Sequence, residues 1–240
     1  MAQYIYGKNV IMHKLTTSQK IKKLYLFKNG SFDEIVKLAN LNNIPLEYCT
    51  KQQLNQIESG KHQGIIALVE DYQFYSVDDI INSVPKDKIP LIVMLDGLED
   101  PHNLGAILRT CDAVGVDGVI IGKHRSVSLN ATVAKVSTGA IETIKVAQVT
   151  NLTKTIQELK KRNFWICGTD CDQSADYRTI DYKIPLVVVI GSESVGISRL
   201  VKENSDFLVH IPILGSVQSL NASVATGIIL YQIHSQRFPL

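Results

Sequence analysis

The chain has 240 residues, 45% hydrophobic and 20% charged, with a formal net charge of +2. Such a composition excludes global disorder, and the length suits one large domain with a small companion. The net charge selects no partner, although through Tyr75 nine Lys stand against six Asp and Glu, a mildly basic front compatible with an RNA-handling module. The opening MAQYIYGKNV lacks the apolar stretch of a secretory leader. No apolar run approaches the ~20 residues of a membrane span, so a soluble, cytoplasmic protein is expected. Of the cysteines, Cys111 falls in an apolar helical pattern and reads as a core thiol. Cys167 and Cys171 have no second Cys/His pair at zinc spacing, so no metal is expected.

In chain order, Lys22 to Leu26 is a strand candidate after a lysine pair, and Phe32 to Leu41 has helical apolar spacing. Ile44 to Tyr48 and Gly64 to Val69 resume strand character, which makes residues 1–72 a small α/β unit. Residues 73–88 are more polar, carry Pro85-Lys86-Asp87-Lys88, and read as a linker. From Ile89 to Leu240 the alternation lengthens. Strand runs at Leu91–Leu95, Gly118–Ile121, Phe164–Cys167, Leu186–Ile190 and Phe207–Ile211, with helical patterns between several, predict a mainly parallel sheet covered on both faces. Ligands of such sheets bind beyond the carboxyl ends of strands. The loops after Leu95, Ile190 and Ile211 are therefore the places to look.

The first loop runs from Asp96 through Asp100-Pro101-His102-Asn103-Leu104-Gly105-Ala106 to Arg109. Asn103 can cap a helix starting near Leu104, with Gly115 as its stop. Capping alone accounts for Asn103. Arg109, within two turns of that start, gains nothing from the helix dipole and is a candidate for an anionic substrate. In the second, Gly191-Ser192-Glu193-Ser194-Val195-Gly196 follows an apolar strand. Position 197 is Ile where a P-loop needs lysine, and the loop is no Gly-x-Gly-x-x-Gly either. What remains is a tight turn whose backbone can approach a ligand, with Glu193 exposed at the strand end. The third, Ile211-Pro212 to Ser219-Leu220-Asn221-Ala222, precedes a final helix that Ser219 or Asn221 can cap; that helix carries Val224, Ile228 and Tyr231 along one face.

Taken together, Asp100-Pro101-x-Asn103-x-Gly105-Ala106-x-x-Arg109, Gly191-x-Glu193-x-x-Gly196, and Ile211-Pro212 with Ser219-Leu220-Asn221 resemble the three motifs of the SpoU family, ribose 2′-O-methyltransferases of the SPOUT superfamily. Ser137-Thr138-Gly139-Ala140 resembles that family's Ser-x-Gly-Ala segment. Tyr6-Gly7-x-x-Val10 and His62-Gln63-Gly64-Ile65 look like the small substrate-binding domain that precedes the catalytic domain in the ribosomal RNA guanosine methyltransferases. Ser194 departs from the pattern, which more often has glycine there.

The resemblance implies a carboxyl-terminal trefoil knot, which no sequence pattern would justify by itself. It also implies S-adenosyl-L-methionine as cofactor, held mainly by backbone groups around Gly191, Gly196, Ile211 and Leu220. The implied partners are a second copy of the chain in a homodimer and ribosomal RNA, with a guanosine ribose as acceptor. Arg109 would act on the hydroxyl proton. A guanidinium holds its own proton with pKa above ~12, so the expected form has Arg109 on the RNA phosphate, oriented with the ribose by Asn103, Glu193, Ser219 and Asn221. A transfer-RNA methyltransferase and an inactive RNA-binding or ribosome-assembly protein are the alternatives. A nucleotide-binding metabolic enzyme lacks its motifs here.

Overall fold

In the computed structural model, which describes residues 3–16, 21–69, 72–170, 174–193 and 195–239, the chain divides into two units, Met1–Gln73 and Phe74–Leu240. The first contains β1 (Gln3–Tyr6), α1 (Lys8–Thr16), β2 (Ile21–Phe27), α2 (Asp33–Leu41), β3 (Leu46–Cys49), α3 (Lys51–Ile57) and β4 (Ile65–Val69). Its sheet has the order β1-β4-β2-β3, parallel only between β2 and β3. Tyr25 and Phe27 of β2 pack with Leu54 and Ile57 of α3, while Leu24 and Leu26, alternating with them, are fully buried. Patterning alone does not announce β1, α1 or α3. A capping box does mark α3: the Thr50 hydroxyl accepts from Gln53 N, and Gln53 Oε1 accepts from Thr50 N.

The lysine excess of this unit is partly spent internally. Lys23 pairs with Glu47 at 2.5 Å, which raises the lysine pKa and lowers that of the carboxyl. Lys8 Nζ donates to Ser31 O at 3.1 Å and lies over the Phe32 ring, and Lys14, buried, donates to the Tyr72 hydroxyl at 3.1 Å. Lys22 is exposed; Lys20 lies outside the described residues.

The second unit runs α4 (Val77–Asn82), β5 (Leu91–Asp96), α5 (Pro101–Val114), β6 (Gly118–Gly122), α6 (Ala131–Ser137), α7 (Ala140–Thr143), β7 (Val146–Val149), α8 (Leu152–Lys160), β8 (Trp165–Thr169), β9 (Ala175–Asp176), β10 (Leu186–Gly191), α9 (Arg199–Asn204), β11 (Phe207–His210) and α10 (Ala222–Arg237). Among the described residues its sheet has seven strands in the order β7-β6-β5-β10-β8-β11-β9, and every named pair is parallel. The mainly parallel sheet expected from the strand runs is thus present, with β7 and β9 added.

Both faces are covered, as the continuous apolar strands demand. Ile92 and Met94 of β5 and Val187 and Val189 of β10 pack with Ile80 of α4, Ile156 and Leu159 of α8 and Val201 of α9. The alternate residues, Val93, Leu95, Val188 and Ile190, are as deeply buried on the other side. The segment expected as a linker, 73–88, carries α4, whose fully buried Ile80 belongs to this core. Its polar residues mark an exposed helix face and turn, and the separation into units falls at its beginning.

The carboxyl end of α10 is fastened by Arg237. Its guanidinium donates to the carbonyls of Tyr182 (3.0 Å), Ile89 (2.9 Å) and Ile184 (2.6 Å), at the approaches to β5 and β10. Burial lowers its pKa, and the fork of donors suits several carbonyls as an ammonium cannot. Burial likewise raises the thiol pKa values of Cys111 and Cys167; Cys171 lies outside the described residues. Arg237→Ala orphans those carbonyls and should lower unfolding free energy by about 2–4 kcal/mol, with Arg237→Lys recovering less than half, as read from urea unfolding midpoints.

Candidate active site

The first loop departs from the expected capping. The N-cap of α5 is Asp100, whose Oδ1 accepts from His102 N at 3.0 Å, and Pro101 occupies the first helical position. Asn103, already inside the helix, is buried and free to use its side chain elsewhere. Gly105 two residues on permits close packing: a Cβ there would lie 2.6 Å from Val136 Cβ of α6. The Ser137-Thr138-Gly139 turn between α6 and α7 is spanned by Ser137 Oγ, which donates back to Ala134 O of α6 at 3.1 Å and accepts from Ile141 N of α7 at 3.4 Å. Gly115 ends α5 in the left-handed conformation expected of it (φ 78°).

The second loop is a narrow hairpin at the end of β10. Ser192 and Gly196 exchange backbone hydrogen bonds at 3.2 and 2.9 Å. Gly191 is in such close contact with the returning strand that a Cβ would stand 2.0 Å from the Gly196 carbonyl carbon and 2.3 Å from Ile197 N. Ser198 N donates to Asp96 Oδ2 at 2.6 Å, tying this loop to the end of β5. Ser194, where the sequence departs from the family pattern, lies outside the described residues.

The third loop ends at Asn221, which caps α10: its Oδ1 accepts from Ser223 N at 3.0 Å and Val224 N at 3.3 Å. That fixes the amide orientation and turns Nδ2 toward the other loops. Asn221 Nδ2 donates to Asn103 Oδ1 at 2.9 Å and to Glu193 Oε1 at 2.5 Å. Asn103 Nδ2 donates to the same Glu193 oxygen at 3.0 Å, as does Ala222 N at 3.2 Å. One carboxylate oxygen thus gathers residues far apart in the chain.

Gly191, Gly196, Ser219, Leu220 and Ile211 line a cavity of about 490 Å³ beside this cluster, at the carboxyl ends of β8, β10 and β11. Ile213 and Ile229 add apolar wall, and neither Lys nor Arg is among the lining residues. Arg109 is not brought to the cluster. It follows Asn103 by six residues on α5, about 240° around the helix and about 9 Å along it. Its side chain is exposed and has no hydrogen bond or ion pair among the described residues. Ser219, exposed on the cavity rim, likewise makes no contact with Arg109.

Two variants test this geometry. Gly191→Ala should abolish the hairpin, because the obstruction is backbone, and lower stability by about 3 kcal/mol or more or leave the chain insoluble. Asn221→Ala should cost about 1–2 kcal/mol through the lost cap. Asn221→Asp keeps the cap but sets a second carboxylate against Glu193. It should be no more stable than Asn221→Ala at neutral pH and regain stability as pH falls and one of the pair takes a proton, as measured by unfolding at pH 7 and pH 5.

The family model described as SpoU rRNA Methylase family matches residues 90–231, and one described as RNA 2′-O ribose methyltransferase substrate binding matches residues 4–75. YacO of Bacillus subtilis, named for the TrmH family of tRNA/rRNA methyltransferases, is 45% identical across 99% of this chain and 97% of its own. A Staphylococcus saprophyticus protein named for the same family is 46% identical across 97% and 95%. Among solved structures, the SpoU methyltransferase AviRb of Streptomyces viridochromogenes in complex with AdoMet superposes with a TM-score of 0.77, at 24% identity, over 98% of this chain and 90% of that one. The A. aeolicus TrmH/SpoU tRNA modifying enzyme does so with a TM-score of 0.59, at 36% identity, over 67% and 81%. With Asn103, Glu193 and Asn221 of its motifs converging on one cluster and 99% of its length matched, the chain belongs to the SpoU family of RNA methylases.

Proposed function

We propose that this protein transfers a methyl group from S-adenosyl-L-methionine to a ribose 2′-hydroxyl of ribosomal RNA, a guanosine of the large subunit. The observation that carries the reading is the Asn103–Glu193–Asn221 cluster standing against a cavity with neither Lys nor Arg among its described lining residues. The cofactor fits that cavity chemically. Its volume lies within the ~300–1,000 Å³ typical of small-molecule sites, and apolar Ile211, Ile213 and Leu220 suit a purine. A lining free of Lys and Arg, with Glu193 at one side, suits a sulfonium beside an ammonium and disfavours a phosphate ligand. When bound, the cofactor supplies an electrophilic methyl whose leaving group is a neutral thioether. In this reading the carboxyl-terminal segment is threaded into a trefoil knot, drawing the loops after β10 and β11 to one cavity.

The chain's own residues then have distinct tasks. Glu193, Asn103 and Asn221 hold the loops at a fixed separation and orient the acceptor ribose, with Ser219 at the rim. Positioning of this kind is worth up to ~7–11 kcal/mol of barrier in well-oriented reactions. Arg109 binds the RNA phosphate, which orients or accepts the hydroxyl proton, since a guanidinium remains protonated. As Arg109 points away from its own cluster, it serves the site of a second copy in a homodimer. An exposed apolar stripe supports that assembly: Val224, Tyr231 and Phe238 recur at seven-residue spacing on α10 and its end, 51%, 56% and 60% exposed.

Ribosomal RNA is favoured over transfer RNA by the front unit, where the substrate-binding family model lies. The solved chain titled as a tRNA modifying enzyme superposes on 67% of this one, while the AdoMet-bound rRNA methyltransferase of Sinorhizobium meliloti superposes on 99%. The front unit selects the RNA, and Lys22 of β2 is among its exposed lysines.

Transfer of labelled methyl from the cofactor to total RNA, followed by mapping of the modified nucleotide, tests the function; label confined to transfer RNA would favour the alternative substrate. Arg109→Ala should lower transfer at least about 100-fold while cofactor affinity by calorimetry stays within about threefold. Near-normal turnover would remove Arg109 from the mechanism. Tyr231→Glu should shift sedimentation from dimer toward monomer and lower transfer in parallel.

A further inference from the structure

A second cavity, of about 520 Å³, opens on the other side of the 192–196 hairpin, at the carboxyl ends of β5 and β6. It shares Ser192, Glu193, Val195 and Gly196 with the first cavity, so an occupant of each touches the same thin loop. Asn103 reaches it as well, and the remaining polar wall comes from Asp96, Glu99, Asp100, His124, Arg125 and Ser198. The three sequence motifs account for Asn103, Asp100 and Glu193 but not for Glu99 or Arg125.

The carboxylates differ in how far they are committed. Asp96 accepts from Ser198 N, Asp100 caps α5, and Glu193 holds the two asparagines. Glu99 is exposed and has no hydrogen bond or ion pair among the described residues. The Arg125 guanidinium has none either, and its backbone sits at φ 52°, where glycine would be cheaper. The cavity therefore offers one uncommitted pair of acceptor oxygens and one uncommitted fork of donors.

A wall with several carboxylates repels phosphate, so the part of a nucleotide that fits is the base. Among the RNA bases only guanine carries two adjacent donors, N1–H and the 2-amino group, on one edge and two acceptors, O6 and N7, on the next. A carboxylate matches the first edge, and a guanidinium matches the second in its usual bidentate manner. Adenine, cytosine and uracil each lack the adjacent donor pair.

We propose that this second cavity receives the base of the target nucleotide, with Glu99 accepting from guanine N1–H and the 2-amino group and Arg125 donating to O6 and N7. This rests on the methyl-transfer reading, which places the donor in the first cavity and so requires the acceptor nucleotide within reach of the shared hairpin. It adds two specificity residues outside the motif cluster.

The test uses the full-length protein, its Glu99→Gln and Arg125→Gln variants, labelled S-adenosylmethionine, and total RNA from cells lacking this gene. Nucleoside analysis should place the label in 2′-O-methylguanosine. A transcript spanning the mapped nucleotide is then prepared with guanosine, inosine (no 2-amino group) or 7-deazaguanosine (no N7) at the target. For the wild type, inosine should lower kcat/KM about 10- to 100-fold. Glu99→Gln should lose a similar factor on guanosine and no longer discriminate against inosine, while Arg125→Gln should lose the penalty for 7-deazaguanosine. Cofactor affinity should stay within about twofold in both variants, because neither residue lines the first cavity. An inosine penalty equal in wild type and Glu99→Gln, or none in the wild type, overturns the role of Glu99 and leaves methyl transfer standing. Label in another 2′-O-methylnucleoside overturns the guanine assignment in the same way. Label in no nucleoside overturns the methyl-transfer reading itself, and this proposal with it.

Discussion

The candidate site depends on one carboxylate oxygen. Glu193 Oε1 accepts from Asn103 Nδ2 after the first loop and from Asn221 Nδ2 and Ala222 N at the end of the third, and Asn103 and Asn221 are 118 residues apart. Charge-assisted hydrogen bonds are roughly twice as strong as neutral ones, though water screens this exposed carboxylate. Their main consequence is geometric. Asn221 cannot turn, because its other amide atom caps α10, and Asn103 cannot move without α5. The carboxylate therefore locks two helices to the hairpin between them.

That lock works only because the hairpin is thin. Gly191 lies against the backbone of Gly196 and Ile197 with no room for a Cβ, so the loop after β10 separates two cavities by little more than its own width. A ligand on one side and a ligand on the other would be neighbours across it. The parallel sheet supplies the base: β5 and β10 are adjacent, and their carboxyl ends point both loops the same way. Arg237 secures the opposite ends of that strand pair, so α10 spans the unit from the cluster to the strand beginnings.

Arg109 shows where a single chain stops explaining the site. Helical periodicity forbids Arg109 and Asn103 from sharing a face, whatever the loops do. A residue set that reads as one motif along the chain thus faces two directions in space, and in the proposed homodimer the exposed stripe on α10 is the surface that would bring Arg109 to a second copy.

The sequence by itself determined the parallel sheet, through apolar runs such as Leu186–Ile190 that are too continuous for a one-sided sheet, and it located the three loops and their family. Local chemistry settled these, since strand patterning, Gly115 as a stop and Asn221 as a cap act over a few residues. Other features were legible only in three dimensions. Asn103 looks like a cap because Asn commonly is one; that Asp100 takes the task and releases Asn103 to Glu193 depends on where α5 packs. The polar composition of 73–88 did not announce α4, because its one buried residue, Ile80, packs at Gly118 of β6 in a core cluster drawn from several strands, and local patterning does not show that packing. The pairing of Lys23 with Glu47 required the β2–β3 register, and Glu99 and Arg125 share a cavity only because β5 and β6 are neighbours. Composition and periodicity specify which face of an element is buried; they do not specify which distant element covers it, and that long-range choice sets the site.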